Sequence, residues 1–511
     1  MSQFLWARTL TPREVLLFFL AASFLFIFPL VQADYFYNDD NWRALVAGGG
    51  WREEGRVVIE WLYNVLSFSS ASADLFPLPL FIATTAVSFA LKSLVFFYFE
   101  RPTLVHCLVV LPIWYNPFLL QNLSYHYDGP AMALGLVALI HAVIWSSDRT
   151  WRNVLVPALL LALALSIYQV LIGFFIAMCC VEVIRLVWQG KPSQQVLRLI
   201  GCKLVAIGVG VSVYYLTAYQ LMTGARQVLL PLGISSLLEI GNRLSFLARM
   251  FDGWVTEGAQ ALVWGGALLT LVGYVWGGIG LVRRAESPWR EAPLLFCYLL
   301  APAVLLFCIP GITLFFAEFN YGARTLVAFS ALLVLVFFLS LQILMRLHAR
   351  LGLVLLIPLL AMLSFSFGHG RVLSLQKQQE AVVLASLAYD INYSPLRDKD
   401  RIYMIPELKA NWLPAASGLF AAMPAQQYVL GVGYVLLPES LPRAGVTNVY
   451  LAKDPTVIAS IRRGDFSPIV STRFYDLFVI HDSGYISMKK PQGDPDVVSK
   501  LCLFVDVERC R

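Results

Sequence analysis

Charged side chains are scarce in this chain: aspartate, glutamate, lysine and arginine together make up 14% of its 511 residues. An average soluble protein carries about a quarter, so a fold whose whole surface faces water is excluded. Histidine is scarcer still, and His106, His126, His141, His348, His369 and His481 never fall at a spacing that sets two of them on one helical face. That argues against a histidine-based metal centre. No nucleophile elbow, glycine-rich phosphate loop or nucleic-acid signature occurs. Of the cysteines, Cys107, Cys179, Cys180, Cys202, Cys297 and Cys308 lie in or beside apolar runs, where a thiol packs as a small hydrophobe. Only Cys502 and Cys510 lie in the tail, able to pair in an oxidising compartment and expected to stay reduced in the cytoplasm.

Hydrophobic residues make up 59% of the chain, and they are gathered into runs long enough to cross a hydrocarbon core. The pattern predicts a polytopic α-helical membrane protein of about 11 transmembrane helices, near residues 15–31, 77–99, 104–120, 130–145, 154–168, 170–188, 203–221, 259–282, 293–317, 325–345 and 351–367. Arg8 and Arg13 before a run ending in Val31-Gln32-Ala33 imitate a secretory signal, which is read here as a retained first span. Orientation follows the positive charges. Arg8, Arg13, Arg101, Arg149, Arg152, Lys191, Arg198, Arg283, Arg284, Arg290, Arg346 and Arg350 fall on one alternating set of connections, which is expected to be cytoplasmic. The N-terminus is then cytoplasmic and the tail periplasmic. The tightest stretch is 154–188, about thirty-five residues for two crossings that normally need about twenty each. Short or broken helices turning near Tyr168-Gln169 satisfy it; one long helix instead would put the tail in the cytoplasm.

The short loops assigned outside carry Arg43, Arg52, Arg56, Arg226, Arg243, Arg249 and Arg324, and no lysine. A planar guanidinium grips a phosphate with two parallel hydrogen bonds, which an ammonium cannot do. Arg56, Arg243 and Arg324 are therefore candidate phosphate ligands. The plainer reading is that each pairs with a nearby acid, as Arg56 and Glu60 are spaced to do on a helix. Asn38-Asp39-Asp40-Asn41-Trp42-Arg43 holds two adjacent carboxylates in the first outer loop. One of them is placed to cap a short helix; both cannot cap the same turn. The second is a candidate general base, Asp39 or Asp40. A hard divalent cation could be held by Asp39 or Asp40, but two adjacent acids are a weak signal for one.

Ser124-Tyr125-His126-Tyr127-Asp128 is a second polar loop, and Tyr125, His126, Tyr127 and Asp128, with Glu60, suit a sugar face and its hydroxyls; the competing reading is an interfacial aromatic belt ending in an Asp128-Gly129-Pro130 turn. Composition changes near Gly370, which divides the chain into a membrane part, 1–369, and a soluble α/β domain, 370–511. In the latter, 373–391 is expected to be an amphipathic helix, 401–405 a strand, and 475–489 a hairpin turning at Asp482-Ser483-Gly484.

Tyr37-Asn38-Asp39-Asp40 with Gly55-Arg56, Asn122-Leu123-Ser124-Tyr125-His126-Tyr127-Asp128, Tyr168-Gln169 and Gly322-Ala323-Arg324, in that order, resemble the serotype-converting O-antigen glucosyltransferase family of Gram-negative bacteria and their phages. The resemblance implies a GT-C-like membrane glycosyltransferase of the inner membrane. It implies an undecaprenyl phosphate-sugar donor, glucose by preference, and a lipid-linked O-antigen acceptor on the periplasmic face. A catalytic aspartate in the first outer loop maps onto Asp39 or Asp40. The bilayer is the other expected partner, and nucleic acid is not one. A flippase or transporter of lipid-linked sugars, or an O-antigen polymerase, would call on similar side chains; no inverted repeat is apparent that would favour a transporter.

Overall fold

The computed structural model describes residues 8–224, 227–256, 258–284, 288–407 and 412–491; Arg226, Cys502 and Cys510 lie outside them. The chain forms two compact units, one of Met1–Val31 with Gly49–Phe367 and one of Gln32–Gly48 with Gly368–Arg511.

The first unit is helical, because in lipid each backbone N–H and C=O must find its partner within its own segment. Eight helices among the described residues are long and apolar enough to cross a membrane: Pro12–Ala33, Leu78–Tyr98, Leu171–Trp188, Ser193–Leu221, Gln260–Arg284, Glu291–Cys308, Phe329–Leu347 and Ala349–Asn392. The remaining three expected spans are shorter helices. The stretch read as one span at 104–120 is broken into Leu104–Val110, Pro112–Tyr115 and Leu119–Leu123. Pro112 and Pro117 remove donors there and clash with a preceding helical turn. Asn116 mends the second break, its Oδ1 accepting the Phe118 N–H at 3.1 Å and its Nδ2 donating to Ser330 Oγ at 3.0 Å. Asp128–Ile144 and Thr150–Leu165 span 17 and 16 residues.

The crowded stretch at 154–188 is two helices, Thr150–Leu165 and Leu171–Trp188, joined by a turn through Tyr168 and Gln169. The first packs on Ser193–Leu216 at very close range, since a Cβ on Gly210 would lie 2.7 Å from the Ala158 carbonyl. Charges inside these helices are paired or capped. Arg185 binds Glu182 at 2.5 Å and lies over the rings of Phe97 and Tyr98, and the Lys203 Nζ donates to the Ala142 carbonyl at 2.5 Å. Such pairing is the condition for keeping ionisable groups among apolar helices.

The helix expected at 373–391 continues directly from the last span, and the two are one helix, Leu356–Asn392. Its one proline, Pro358, lies in the first turn, where proline is tolerated, and Gly368 and Gly370 weaken a helix without ending it. In the second unit a five-stranded sheet runs in the order β2-β1-β5-β4-β3, where β1 is Ile402–Ile405, β2 Val449–Leu451, β3 Val470–Ser471, β4 Tyr475–Ile480 and β5 Ser483–Met488. β1 is parallel to β2 and β5; β4 is antiparallel to β3 and β5. The hairpin is where it was expected, but it turns one step earlier, at His481 and Asp482, with His481 at φ +53°. A two-residue turn needs that left-handed conformation to match the twist of its strands.

Strand alternation sends Ile402, Met404, Leu477, Ile486 and Met488 to one face, packed on Val383, Leu387 and Ile391 of the long helix. Ile405, Phe478 and Ile480 face the other way, against Val457, Ile458 and Ile461 of the helix Pro455–Arg463. Asp454 caps that helix by accepting the Thr456 N–H at 2.9 Å, and Gly464 at φ +84° ends it.

Candidate functional site

In the first unit the site begins with Gly55. Its φ of +71° turns the chain so that the Arg56 N–H returns to the Trp51 carbonyl at 2.8 Å, which places Arg56 at the start of the helix Val57–Ser67. The Arg56 Nη1 lies 3.0 Å from Glu54 and 3.6 Å from Asp128. Asp128 opens the helix Asp128–Ile144, where the unpaired N–H groups favour a carboxylate. It is buried and also accepts the Trp51 indole N–H at 3.1 Å. Trp51 stacks on Tyr63 at 5.6 Å, and Tyr63 packs on Tyr127 at 5.0 Å. The Tyr63 hydroxyl donates to the carbonyls of His126 and Tyr127, and the His126 ring stacks on Phe76 at 3.7 Å.

A second arm lies next to the first. A Cβ on Gly129 would come within 2.6 Å of the Asn122 carbonyl, so only glycine lets the 119–123 turn rest on the helix start. From that turn Gln121 accepts the Arg324 backbone N–H at 2.6 Å, and Asn122 donates to the Arg324 carbonyl at 3.1 Å. The Arg324 guanidinium donates to the Tyr125 hydroxyl at 2.6 Å. Tyr168 joins the arms: its ring lies 5.3 Å from the Arg56 guanidinium, and its hydroxyl donates to the Arg324 carbonyl at 3.5 Å. Gln169 ties the turn down, donating to the Glu54 carbonyl at 3.0 Å and to Tyr214 at 2.9 Å. Two buried atoms here, Nε of Arg56 and Oδ1 of Asn122, have no hydrogen-bond partner among the described residues.

Arg56, Arg324, Tyr125, Tyr127 and Asp128 are thus drawn into one polar cluster, with the His126 backbone bonded to it through Tyr63. Arg243 is not. It is buried, bonded to Glu239 at 2.8 Å and to the carbonyls of Leu314, Phe316 and Ala317, and it lies over the Phe319 ring. Those bonds staple its helix, Ile234–Asp252, to the 314–317 segment. Glu60 pairs with Arg52 at 3.6 Å rather than with Arg56. Trp51 and Tyr63 were not singled out in the sequence. Their signal was there: Tyr63 is on the buried face of the Val57–Ser67 helix, and Trp51 precedes the only loop glycine-arginine pair ahead of it.

The two loop aspartates belong to the second unit and differ from each other. Asp40 is fully buried and its Oδ2 accepts the Tyr37 N–H at 2.9 Å. Asp39 stands at the N-cap of Asp40–Val46 without capping it, and its half-exposed carboxylate is 3.7 Å from the buried Arg43. Asn41 accepts from Arg443 at 2.5 Å. Tyr35, one turn earlier, donates to Glu380 at 2.7 Å; burial, then the Glu380 charge, push its hydroxyl well above the ordinary tyrosine range. Among the described residues no group of three or more His, Cys, Asp or Glu side chains converges on one point.

The chain is similar to an uncharacterised 55.3 kDa protein in the gtrB 5′ region of Salmonella phage P22, at 26% identity over 401 residues, covering 76% of this chain and 80% of the phage protein. No solved structure matches it. The model of the family described as glucosyl transferase GtrII matches residues 28–366, a stretch that contains all of the cluster around Arg56, Asp128 and Arg324 as well as Asp39 and Asp40, and the chain belongs to that family.

Proposed function

We propose that this chain transfers glucose from an undecaprenyl phosphate-sugar to lipid-linked O-antigen, on the periplasmic face of the bacterial inner membrane, with inversion at the anomeric carbon. The donor phosphate is held by Arg56 and Arg324. The observation that carries this reading is that Tyr168 links the two arginines, its ring 5.3 Å from the Arg56 guanidinium and its hydroxyl on the Arg324 carbonyl, while the buried Nε of Arg56 has no hydrogen-bond partner among the described residues. Negative charge grows on the phosphate oxygen as the glycosidic bond breaks, so donors fixed in advance stabilise the transition state more than the ground state. Arg243 is left out of this role because its donors are bonded already. Tyr125, Tyr127 and the polar atoms of Asn122 and His126 are assigned to the sugar. Residues 1–369 are assigned the chemistry and 370–511 a role in acceptor binding.

The general base that takes the acceptor proton is assigned to Asp39 or Asp40. Asp39 has the more accessible oxygen; Asp40 is buried and accepts a backbone hydrogen bond. Asp128 is the competing carboxylate, favoured by its place beside Arg56. Purified protein in proteoliposomes is given radiolabelled undecaprenyl phosphate-glucose and lipid-linked acceptor, and the asparagine variants of Asp39, Asp40 and Asp128 are compared. Loss of the base lowers turnover by about 10²- to 10⁴-fold in one variant. Full turnover by both Asp39→Asn and Asp40→Asn removes the loop assignment. A protein that moves label across the bilayer without forming a glycosidic bond is a transporter, and one that polymerises acceptor without consuming donor is a polymerase.

A further inference from the structure

Three tyrosines stand side by side on the sheet of the second unit. The register sets Tyr403 of β1 opposite Tyr450 of β2 and opposite Tyr485 of β5, so the three share one face across three adjacent strands. Their ring centroids are 6.4 and 5.5 Å apart, and the rings are tilted by 46° and 34°, which makes a shallow curved floor. The face they occupy is only partly covered. The helix Pro455–Arg463 packs over Ile405, Phe478 and Ile480, while the tyrosine row floors an open cleft of about 860 Å³. Arg401, Lys453, Asp454 and Ser483 stand around its rim. Tyr450 is about half exposed, at 51%.

The chemistry of this cleft fits a carbohydrate. The C–H face of a pyranose packs on an aromatic ring, and successive rings one strand apart offer seats for successive sugars. A rim that mixes donors from Arg401, Lys453 and Ser483 with the Asp454 carboxylate can bond hydroxyls of both kinds. A nucleic acid stacks on aromatics too, but its phosphates call for a uniformly basic track, and Asp454 interrupts one. A second protein chain would want a patch poor in lysine and aspartate, whereas Lys453 and Asp454 stand at this cleft.

We propose that Tyr450, Tyr403 and Tyr485 form a glycan-binding platform that holds a stretch of polysaccharide; that this polysaccharide is the acceptor rests on the function proposed above. The platform holds the chain by its ring faces and leaves the chemistry to other residues.

The test uses full-length protein in nanodiscs and O-polysaccharide of the host strain freed of its lipid, with binding followed by calorimetry. The unaltered protein binds saturably. Tyr403→Ala and Tyr485→Ala each raise Kd by about tenfold, and Tyr403→Phe stays within about twofold. Tyr450→Ser, at the most exposed position, weakens binding with the unfolding temperature unchanged, which separates lost contacts from lost fold. Absence of saturable binding, or equal Kd in all variants, overturns the platform. Tighter binding of a thymidine decamer than of the polysaccharide also overturns it, as does a shift in oligomeric state on Tyr450→Ser at constant glycan affinity. Glucose transfer is measured alongside. If the unaltered protein transfers no glucose, the enzymatic reading fails while the binding data still judge the platform; if it transfers and the variants bind normally, only the platform fails.

Discussion

Arg56, Arg243 and Arg324 look alike in sequence and are used differently in the folded chain. Arg243 is enclosed by one carboxylate and three carbonyls, so Arg243→Ala leaves buried acceptors without a donor. It is expected to lower stability by about 3 kcal/mol, read as a fall in unfolding temperature and in detergent-soluble yield. Arg56→Lys and Arg324→Lys are expected to keep the unfolding temperature within a few degrees and to lower kcat/KM by about 10- to 100-fold, because an ammonium loses the fork that two phosphate oxygens fill. Equal activity in both lysine variants would contradict the phosphate assignment. The arginines, the Tyr125–Asp128 loop and the aspartates were all legible as polar residues beside apolar runs. Which arginine was already bonded was not, since the carbonyls of Leu314, Phe316 and Ala317 are some seventy residues from Arg243 and no local pattern brings them to it.

At the scale of elements, hydrophobic length located every helix long and apolar enough to cross a membrane among the described residues, but not Val57–Ser67 or Ile234–Asp252, and prolines broke the stretch at 104–120. The helix Thr150–Leu165, which ends just before Tyr168, packs on Ser193–Leu216 at a closeness that glycine permits: Gly210→Leu would drive a side chain into the Ala158 carbonyl. The expected loss is about 1 to 3 kcal/mol, seen as a lower unfolding temperature, whereas Gly208→Ala, with nothing near its Cβ, is neutral. In the second unit Asp454 is held below the ordinary aspartate range by its hydrogen bonds from Thr456. A depressed folded value means that this cap stabilises the helix above pH about 4 and is lost as pH falls through the folded pKa. Asp454→Ala should therefore lower the unfolding temperature of the second unit at pH 7 and leave it unchanged near pH 2. Tyr475 behaves with the opposite sign: burial, then its bond to Asp390 at 2.7 Å, raise its hydroxyl, so its contribution is whole below pH about 10 and fades as pH rises through the folded value. Tyr475→Phe is expected to cost about 1 kcal/mol at neutral pH. The strands β2 and β3 were missed because Val449–Leu451 and Val470–Ser471 are too short to show an alternation.

At the scale of the whole molecule, a membrane protein is defined by the side on which each connection emerges. The arginine and lysine bias argues for a periplasmic second unit. With Ser467→Cys, an exposed position, a membrane-impermeant maleimide should label intact spheroplasts as strongly as lysed ones; labelling only after lysis would move the unit to the cytoplasm and reverse the face assigned to the reaction. Composition separated a membrane part from a polar tail near residue 370, and the contacts divide the chain at Phe367 and Gly368 but also assign Gln32–Gly48 to the second unit. The sequence by itself determined that the chain is a many-helix membrane protein with a small sheet in its polar tail, because apolar length and strand alternation are local properties that solvent enforces residue by residue. Tertiary structure decided which polar groups meet: Arg56 with Asp128, Tyr168 with the Arg56 guanidinium and the Arg324 carbonyl, three tyrosines in a row across parallel strands. Those meetings join residues far apart in the chain, and they are settled by how helices and strands pack, to which no short window of sequence has access.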